Sequence, residues 1–329
     1  MSNHQTKSAD MTPRQINAII VDEADEGRLV IRRVPLVAPK PGEITIRVSA
    51  ISLNRGETKR ALTTEKTGTR PGWDFVGTVE AGNEVTGAPP VGARVVGALP
   101  VGAWAEYVHA PLGFLAVIPQ GVTDAQAATL PVAGLTALHA LRKGGLLLGK
   151  KVLVNGATGG VGQAAIQLAA ASGAQVYAHV RREEQRHLVE HSSTGGVVVG
   201  PSLEASREFA PFDLIIDSVG GTALSAAMTM LRKKGTCVTL GRSGGEEVSF
   251  NVAGLFAAPG ASLQSLVLFD DIAATEPANE GLAILLRLVA QGVLKPTISI
   301  EAPWTDVAQV ARGLIDRDFA GKAVLHLPQ

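Results

Sequence analysis

The 329-residue chain has a single cysteine and no excess of charge of either sign. One thiol excludes a disulfide framework and any zinc site built mainly of thiolates, and it suits a reducing compartment such as the cytoplasm. Lysine plus arginine number 30 and aspartate plus glutamate number 30, so there is no basic nucleic-acid surface and no acidic tail. Long apolar runs are also missing. The most apolar patch, residues 282–290, is interrupted by Arg287 and is too short to span a bilayer. Residues 1–15 are polar and lack the apolar stretch of a secretory signal; they read as a disordered tail, within which Met11 is an alternative start. No internal repeat or low-complexity segment is present. Cys237 itself lies in the apolar run 236–240 and reads as a small buried hydrophobe, not a nucleophile. These features predict a soluble, cytoplasmic, globular protein long enough for two domains.

What the chain does have is glycine, 37 residues of it. The most telling cluster follows the β-branched run Lys151-Val152-Leu153-Val154-Asn155: Gly156-Ala157-Thr158-Gly159-Gly160-Val161-Gly162. Beyond it Val161, Ala164, Ala165, Leu168 and Ala169 fall at helical spacing. Strand, glycine turn and helix start form an anion site, because free N–H groups and the helix dipole point at an approaching pyrophosphate. No Lys-Ser or Lys-Thr follows the last glycine, which excludes a P-loop. A plain strand–helix turn is the other reading, and a dinucleotide site the favoured one.

The next strand, Gln175–Val180, indicates which dinucleotide. An NAD enzyme places an acid near its end for the ribose 2′-hydroxyl. Here stand Arg181 and Arg182, with Glu183 and Glu184 only afterwards, in the next helix. Guanidiniums suit a 2′-phosphate. The alternative is a solvated pair at a helix start. NADPH is the expected coenzyme.

Residues 16 to about 120 alternate short strands (18–21, 43–50, 76–81, 94–98, 105–109) with Gly/Pro turns, an all-β, barrel-like pattern. From Thr123 helices are expected at 124–130 and 135–142. A βα series of about six strands then includes 197–199, 214–216, a helix over 222–231 and a strand over 236–240. After about residue 270 come a helix (279–291), a strand (297–300), a helix beyond Thr305 and a last strand (323–327), expected to return to the first domain.

In this order, the barrel pattern, Ala157-Thr158-Gly159-Gly160-Val161-Gly162, Asp217-Ser218-Val219-Gly220-Gly221 and Gly321-Lys322-Ala323-Val324-Leu325 resemble the medium-chain dehydrogenases/reductases over nearly the whole chain. Within them the chain is most similar to the zinc-independent, zeta-crystallin-like quinone oxidoreductases. The resemblance implies an α/β protein with a GroES-like β-barrel catalytic domain (16–125 and 271–329) and a Rossmann doubly wound parallel-sheet NADP-binding domain (126–270). Zinc-dependent relatives carry ligands where this chain has Leu53-Asn54-Arg55, Gly72-Trp73-Asp74 and a position near Val132. Asn, Trp and Val do not make a catalytic zinc site, so no metal is expected.

The resemblance further implies site residues. Asn54 would donate an amide N–H to a developing enolate, unless it only orders the loop 52–56. Relatives often carry a tyrosine where Lys59 stands, so Lys59 is either a proton donor or an exposed lysine. Thr136 would sit beside the nicotinamide, or be a plain helix residue. Thr158, Gly159, Gly160 and Val161 would hold the pyrophosphate; Ser218 and Val219 would lie over the adenosine side. Leu240, Gly241 and Arg242 would lie near the nicotinamide ribose, the backbone of Phe269 near the carboxamide, and Lys322 near the phosphates. A homodimer through the sheet edge near residues 248–252 is implied as well.

Without a Lewis acid, alcohol oxidation is hard and reduction of an electron-poor acceptor easier. The expected activity is therefore NADPH-dependent reduction of a quinone or an α,β-unsaturated carbonyl (enone or enal). Two alternatives stand beside it: an enoyl-thioester reductase of a biosynthetic pathway, and a weakly catalytic NADPH-binding structural or regulatory protein.

Overall fold

In the computed structural model residues 14–82 and 84–328 are described. The tail expected over 1–15, with Met11, lies outside these residues except for its last two, and Gln15 already opens the first strand.

The first lobe is built on alternation. Strand β3 (Glu43–Leu53) turns Ile44, Ile46, Val48 and Ala50 inward and Glu43, Thr45 and Arg47 outward, the period-2 pattern of a half-buried strand. Before it, β1 (Gln15–Val21) pairs antiparallel with β2 (Leu29–Pro35). The sequence reading missed β2, whose apolar alternation is broken by Arg32-Arg33. After β3, residues 55–63, for which the sequence reading named no helix, form helix α1 (Arg55–Thr63). The barrel sheet continues with β4 (Asp74–Ala81), β5 (Arg94–Ala98), β6 (Tyr107–Pro111) and the short β7 (Leu115–Val117).

Helix α2 (Asp124–Ala128) is capped by Thr123, whose hydroxyl accepts from the Gln126 N–H. A π-helical turn over Leu130–Gly134 leads into α3 (Leu135–Arg142). The second lobe follows: β8 (Lys151–Asn155), α4 (Gly160–Ala171), β9 (Gln175–Val180), β10 (Gly196–Val199), β11 (Phe212–Asp217), α5 (Gly221–Met228), β12 (Leu231–Thr239), α6 (Ala253–Ala257) and β13 (Ser262–Ser265). These six strands form one parallel sheet in the order β10-β9-β8-β11-β12-β13. Val152, Leu153, Val154, Leu214, Ile215 and Ile216 in its centre are sealed from solvent, as strands covered on both faces must be. The helix expected over 222–231 ends at Met228, and Leu231 already pairs with Phe212. The helix expected after Arg182 is a pair of 3₁₀ turns, 183–188 and 190–192.

Helices α7 (Leu268–Ala274) and α8 (Ala278–Ala290) then lead to β14 (Ile298–Pro303), α9 (Val307–Asp316) and β15 (Lys322–His326). The last two strands join the barrel sheet, whose order is β14-β15-β3-β4-β5-β7, with β6 on β3. The strand order reverses between β8 and β11. That is the switch point at which open α/β sheets bind ligands.

Candidate active site between the two lobes

The glycine turn caps the switch point. Gly156 has φ +79, a conformation that side chains rarely adopt, and a Cβ on Gly162 would fall 2.3 Å from the Gly156 carbonyl oxygen. Only glycine permits this close return of α4 onto the end of β8. Gly159 and Gly160 stand at the helix start, where the first N–H groups have no intrahelical partner. Val161, next in the first turn, is partly buried. The Thr158 carbonyl accepts from the Gly321 N–H (3.0 Å) and the Gln163 side chain (3.0 Å), which ties the loop to the other lobe.

Two features of the neighbouring strand ends fit a dinucleotide. A Cβ on Gly241 would meet the Ser218 carbonyl oxygen at 2.3 Å, so only glycine lets the chain leaving β12 pass this close to the end of β11. The Ser218 hydroxyl is buried without a partner, and such a group asks for a ligand or water. Beneath it Asp217 accepts from Asn155 Nδ2 (2.6 Å), the Gly220 N–H (2.8 Å) and the Val219 N–H (3.2 Å). Burial raises its carboxyl above the ordinary range, and those donors partly offset the shift. The Arg181 and Arg182 side chains are exposed and have no ion-pair partner among the described residues, although Arg186 beside them pairs with Glu183. Leu240 is partly buried, its N–H on the Asp217 carbonyl (2.9 Å). Arg242 is exposed and pairs with Glu246 at 3.2 Å.

The barrel side of the cleft holds a cluster that sequence reading missed. Asp74, sealed from solvent, accepts from Ser52 Oγ (2.5 Å), Asn54 Nδ2 (2.7 Å), Lys322 Nζ (3.3 Å) and the Val132 N–H (3.0 Å). Lys322 Nζ also donates to the Leu53 carbonyl (3.0 Å) and Asn54 Oδ1 (2.5 Å). Glu57 Oε1 accepts from the Asn54 backbone N–H (3.0 Å) and from Asn54 Nδ2 (3.1 Å). Burial and the neighbouring Asp74 charge push the Glu57 carboxyl well up, opposed in part by Lys322. The Lys322 ammonium is bonded to Asp74 and opposes the upward shift at Glu57 through its charge alone.

This arrangement corrects two expectations. Asn54 faces a pure donor at its oxygen and carboxyl oxygens of Glu57 and Asp74 at its nitrogen, so its amide orientation is forced and both N–H groups are spent. It has none left for an enolate. Lys322 lays its stem against Gly160, where a Cβ would meet Cδ at 2.8 Å, but its ammonium turns away from the phosphate loop into the cluster. Of the three positions matched to zinc ligands, Asn54 and Val132 are joined through Asp74, which follows Trp73, and the Lys322 ammonium is bonded to Asn54 and Asp74. Among the described residues no group of three His, Cys, Asp or Glu side chains could hold a metal ion. Lys59 is exposed on α1, and Thr136 is buried on α3. Phe269 meets Trp73 across the cleft. Cys237 is fully buried and its thiol is pushed far up by burial. Among the described residues no helix is long and apolar enough to cross a membrane.

Comparison with known proteins agrees with this geometry. Residues 40–120 match the alcohol dehydrogenase GroES-like domain, and residues 160–283 match the domain described as zinc-binding dehydrogenase. The chain belongs to the medium-chain dehydrogenases/reductases. Its fold is a GroES-like domain joined to a Rossmann-like parallel sheet. A mycobacterial quinone oxidoreductase is similar at 27% identity and TM-score 0.83, over 95% of this chain and 100% of that one. A mycobacterial protein solved in complex with NADPH is similar at 28% and TM-score 0.83, over 94% and 99%. A mycocerosic acid synthase-like polyketide synthase of Mycobacterium tuberculosis is 31% identical over 97% of this chain, which spans only 16% of that relative's length.

Proposed function

We propose that this oxidoreductase uses NADPH to reduce a quinone or an α,β-unsaturated carbonyl, without a metal. One observation carries the reading. The positions that would ligate a catalytic zinc are Asn54, Trp73 and Val132, none of them a zinc ligand, and the Lys322 ammonium is bonded to Asn54 Oδ1 and to Asp74 beside Trp73. An ammonium and a divalent cation do not share such a space, so the acceptor must carry its own electron sink. Quinones and enones do.

NADPH, when bound, supplies the hydride. The chain's residues bind and orient: the α4 N-terminus takes the pyrophosphate, and Arg181 and Arg182 take the 2′-phosphate. The Asp74–Lys322–Asn54 cluster fixes the floor of the cleft, the Asp74 carboxylate paired with the Lys322 ammonium. With Asn54 fully bonded and Lys59 exposed, water protonates the product. The protein acts in solution in the cytoplasm, as a homodimer through the sheet edge near residues 248–252.

The test is NADPH oxidation with 1,4-benzoquinone, 1,4-naphthoquinone, an enal and an enone, after chelation and metal analysis. Turnover of at least one by metal-free protein is expected; inactivity on all, or one zinc per chain, defeats the reading. The similarity to the polyketide synthase favours a second reading, an enoyl-thioester reductase, and 2-enoyl thioesters in the same assay decide between them.

A further inference from the structure

Trp73 stands just before β4, on the barrel side, and Phe269 lies in the first turn of α7, after the last strand of the nucleotide sheet. Their rings meet across the cleft with centroids 5.8 Å apart and planes at 71°. Both are only partly buried, whereas the chain's other tryptophans, Trp104 and Trp304, are 1% and 4% exposed. The Arg60 guanidinium lies over the Trp73 ring at 5.1 Å and is also paired with Glu65 at 3.5 Å. Trp73 has its place because Gly56 leaves it room: a Cβ there would meet the indole Cη2 at 3.0 Å. The backbone under Trp73 is held as well, its carbonyl accepting from the Leu99 N–H at 2.8 Å.

An indole next to the Asp74 cluster, joined edge to face with a ring from the opposite lobe, does two things at once. It offers a partly exposed π surface on which a flat electron-poor ring can stack. The ring contact also joins the segment before β4 to α7 beside the Asp74 cluster. We infer that the Trp73–Phe269 pair is the acceptor selector of this site: it binds flat conjugated acceptors of quinone size against Trp73 and excludes long acyl chains. The inference rests on the reductase reading above and narrows it to compact planar acceptors.

Tryptophan fluorescence tests this without turnover. With NADP⁺ present, 1,4-naphthoquinone is titrated into the protein; saturable quenching is expected, because Trp73 is the accessible tryptophan and quinones quench indoles. Trp73→Leu should abolish the saturable component. Saturable quenching that survives in Trp73→Leu, or none in the parent protein, overturns the inference. Gly56→Ala pushes the indole without removing it and replaces a helical glycine by a better helix former; naphthoquinone binding should weaken at least fivefold with no loss of melting temperature. Unchanged binding counts against the selector. In turnover, Phe269→Ala should raise kcat/KM for a 2-dodecenoyl thioester relative to 1,4-naphthoquinone at least tenfold, and an unchanged ratio overturns the size filter. If no acceptor is reduced by any form, the reductase reading falls and the quenching titration alone decides whether Trp73 is a quinone-binding surface.

Discussion

At the residue scale the contrast lies between charges that are spent and charges that are free. Lys322 and Asp74 are consumed by neighbours, whereas Arg181 and Arg182 have no acidic partner among the described residues. A charge-assisted hydrogen bond contributes about 1.5–3 kcal/mol, and about 1.4 kcal/mol is tenfold in affinity. Arg182→Ala should therefore weaken NADPH at least tenfold and leave NADH within twofold, read by titration calorimetry with both coenzymes; equal losses would remove the 2′-phosphate assignment. Glu57 gives a pH-dependent expectation. Its folded carboxyl is shifted up, while the unfolded one titrates normally. Its stabilising contribution is full below the ordinary glutamate range and is lost as pH rises through the folded value. Glu57→Gln does not titrate, so its urea midpoint should fall less than the parent's as pH rises from the ordinary glutamate range. Parallel declines would mean that the Glu57 carboxyl is not shifted up in the fold. Neither the Glu57 shift nor the commitment of Asn54 could be read in the sequence, because the partners of Asn54 lie 20 and 268 residues away, at Asp74 and Lys322.

At the element scale legibility followed steric demand. The β8–Gly156–α4 turn was readable because the close return of a helix onto its strand permits only glycine at set positions, and β9 was readable through its apolar run. Elements held by tertiary contact were not. Helix α1 reads as loop, being polar at most positions, yet the Glu57 carboxyl closes its first turn onto the Asn54 N–H. Strand β2 exists through pairing with β1 despite its arginines, and β13 is four residues docked on β12. The glycine turn therefore has a sharp mutational signature. In Gly162→Ala the new Cβ would lie 2.3 Å from the Gly156 oxygen and 2.7 Å from Ala157 Cα, both backbone atoms. Overpacking of this kind costs about 1–3 kcal/mol, and relief requires the phosphate loop to move. A lower melting temperature and at least a tenfold loss of NADPH affinity are expected together. Normal binding in a destabilised Gly162→Ala protein would show that the loop does not carry the pyrophosphate.

At the scale of the whole molecule the two lobes are stitched around the glycine loop before α4. Gly159 and Gly321 form an isolated parallel bridge, the Gly321 N–H reaches the Thr158 carbonyl, and the Val132 N–H reaches Asp74 from the turn before α3. The Lys322 side chain runs from Gly160 to Asn54, so one residue touches both the glycine loop and the Asp74 cluster. A ligand that orders this loop must stabilise both lobes together. At one hundred times its Kd a coenzyme contributes about 2.7 kcal/mol, and in chains of about 150–250 residues 1 kcal/mol moves the melting temperature by about 2–4 °C. Scanning calorimetry with saturating NADPH should show one transition displaced upward by several degrees. Two transitions of which only one moves would mean that the bridge does not couple the lobes, and the route from coenzyme loop to Asn54 through Lys322 would then lose its physical basis.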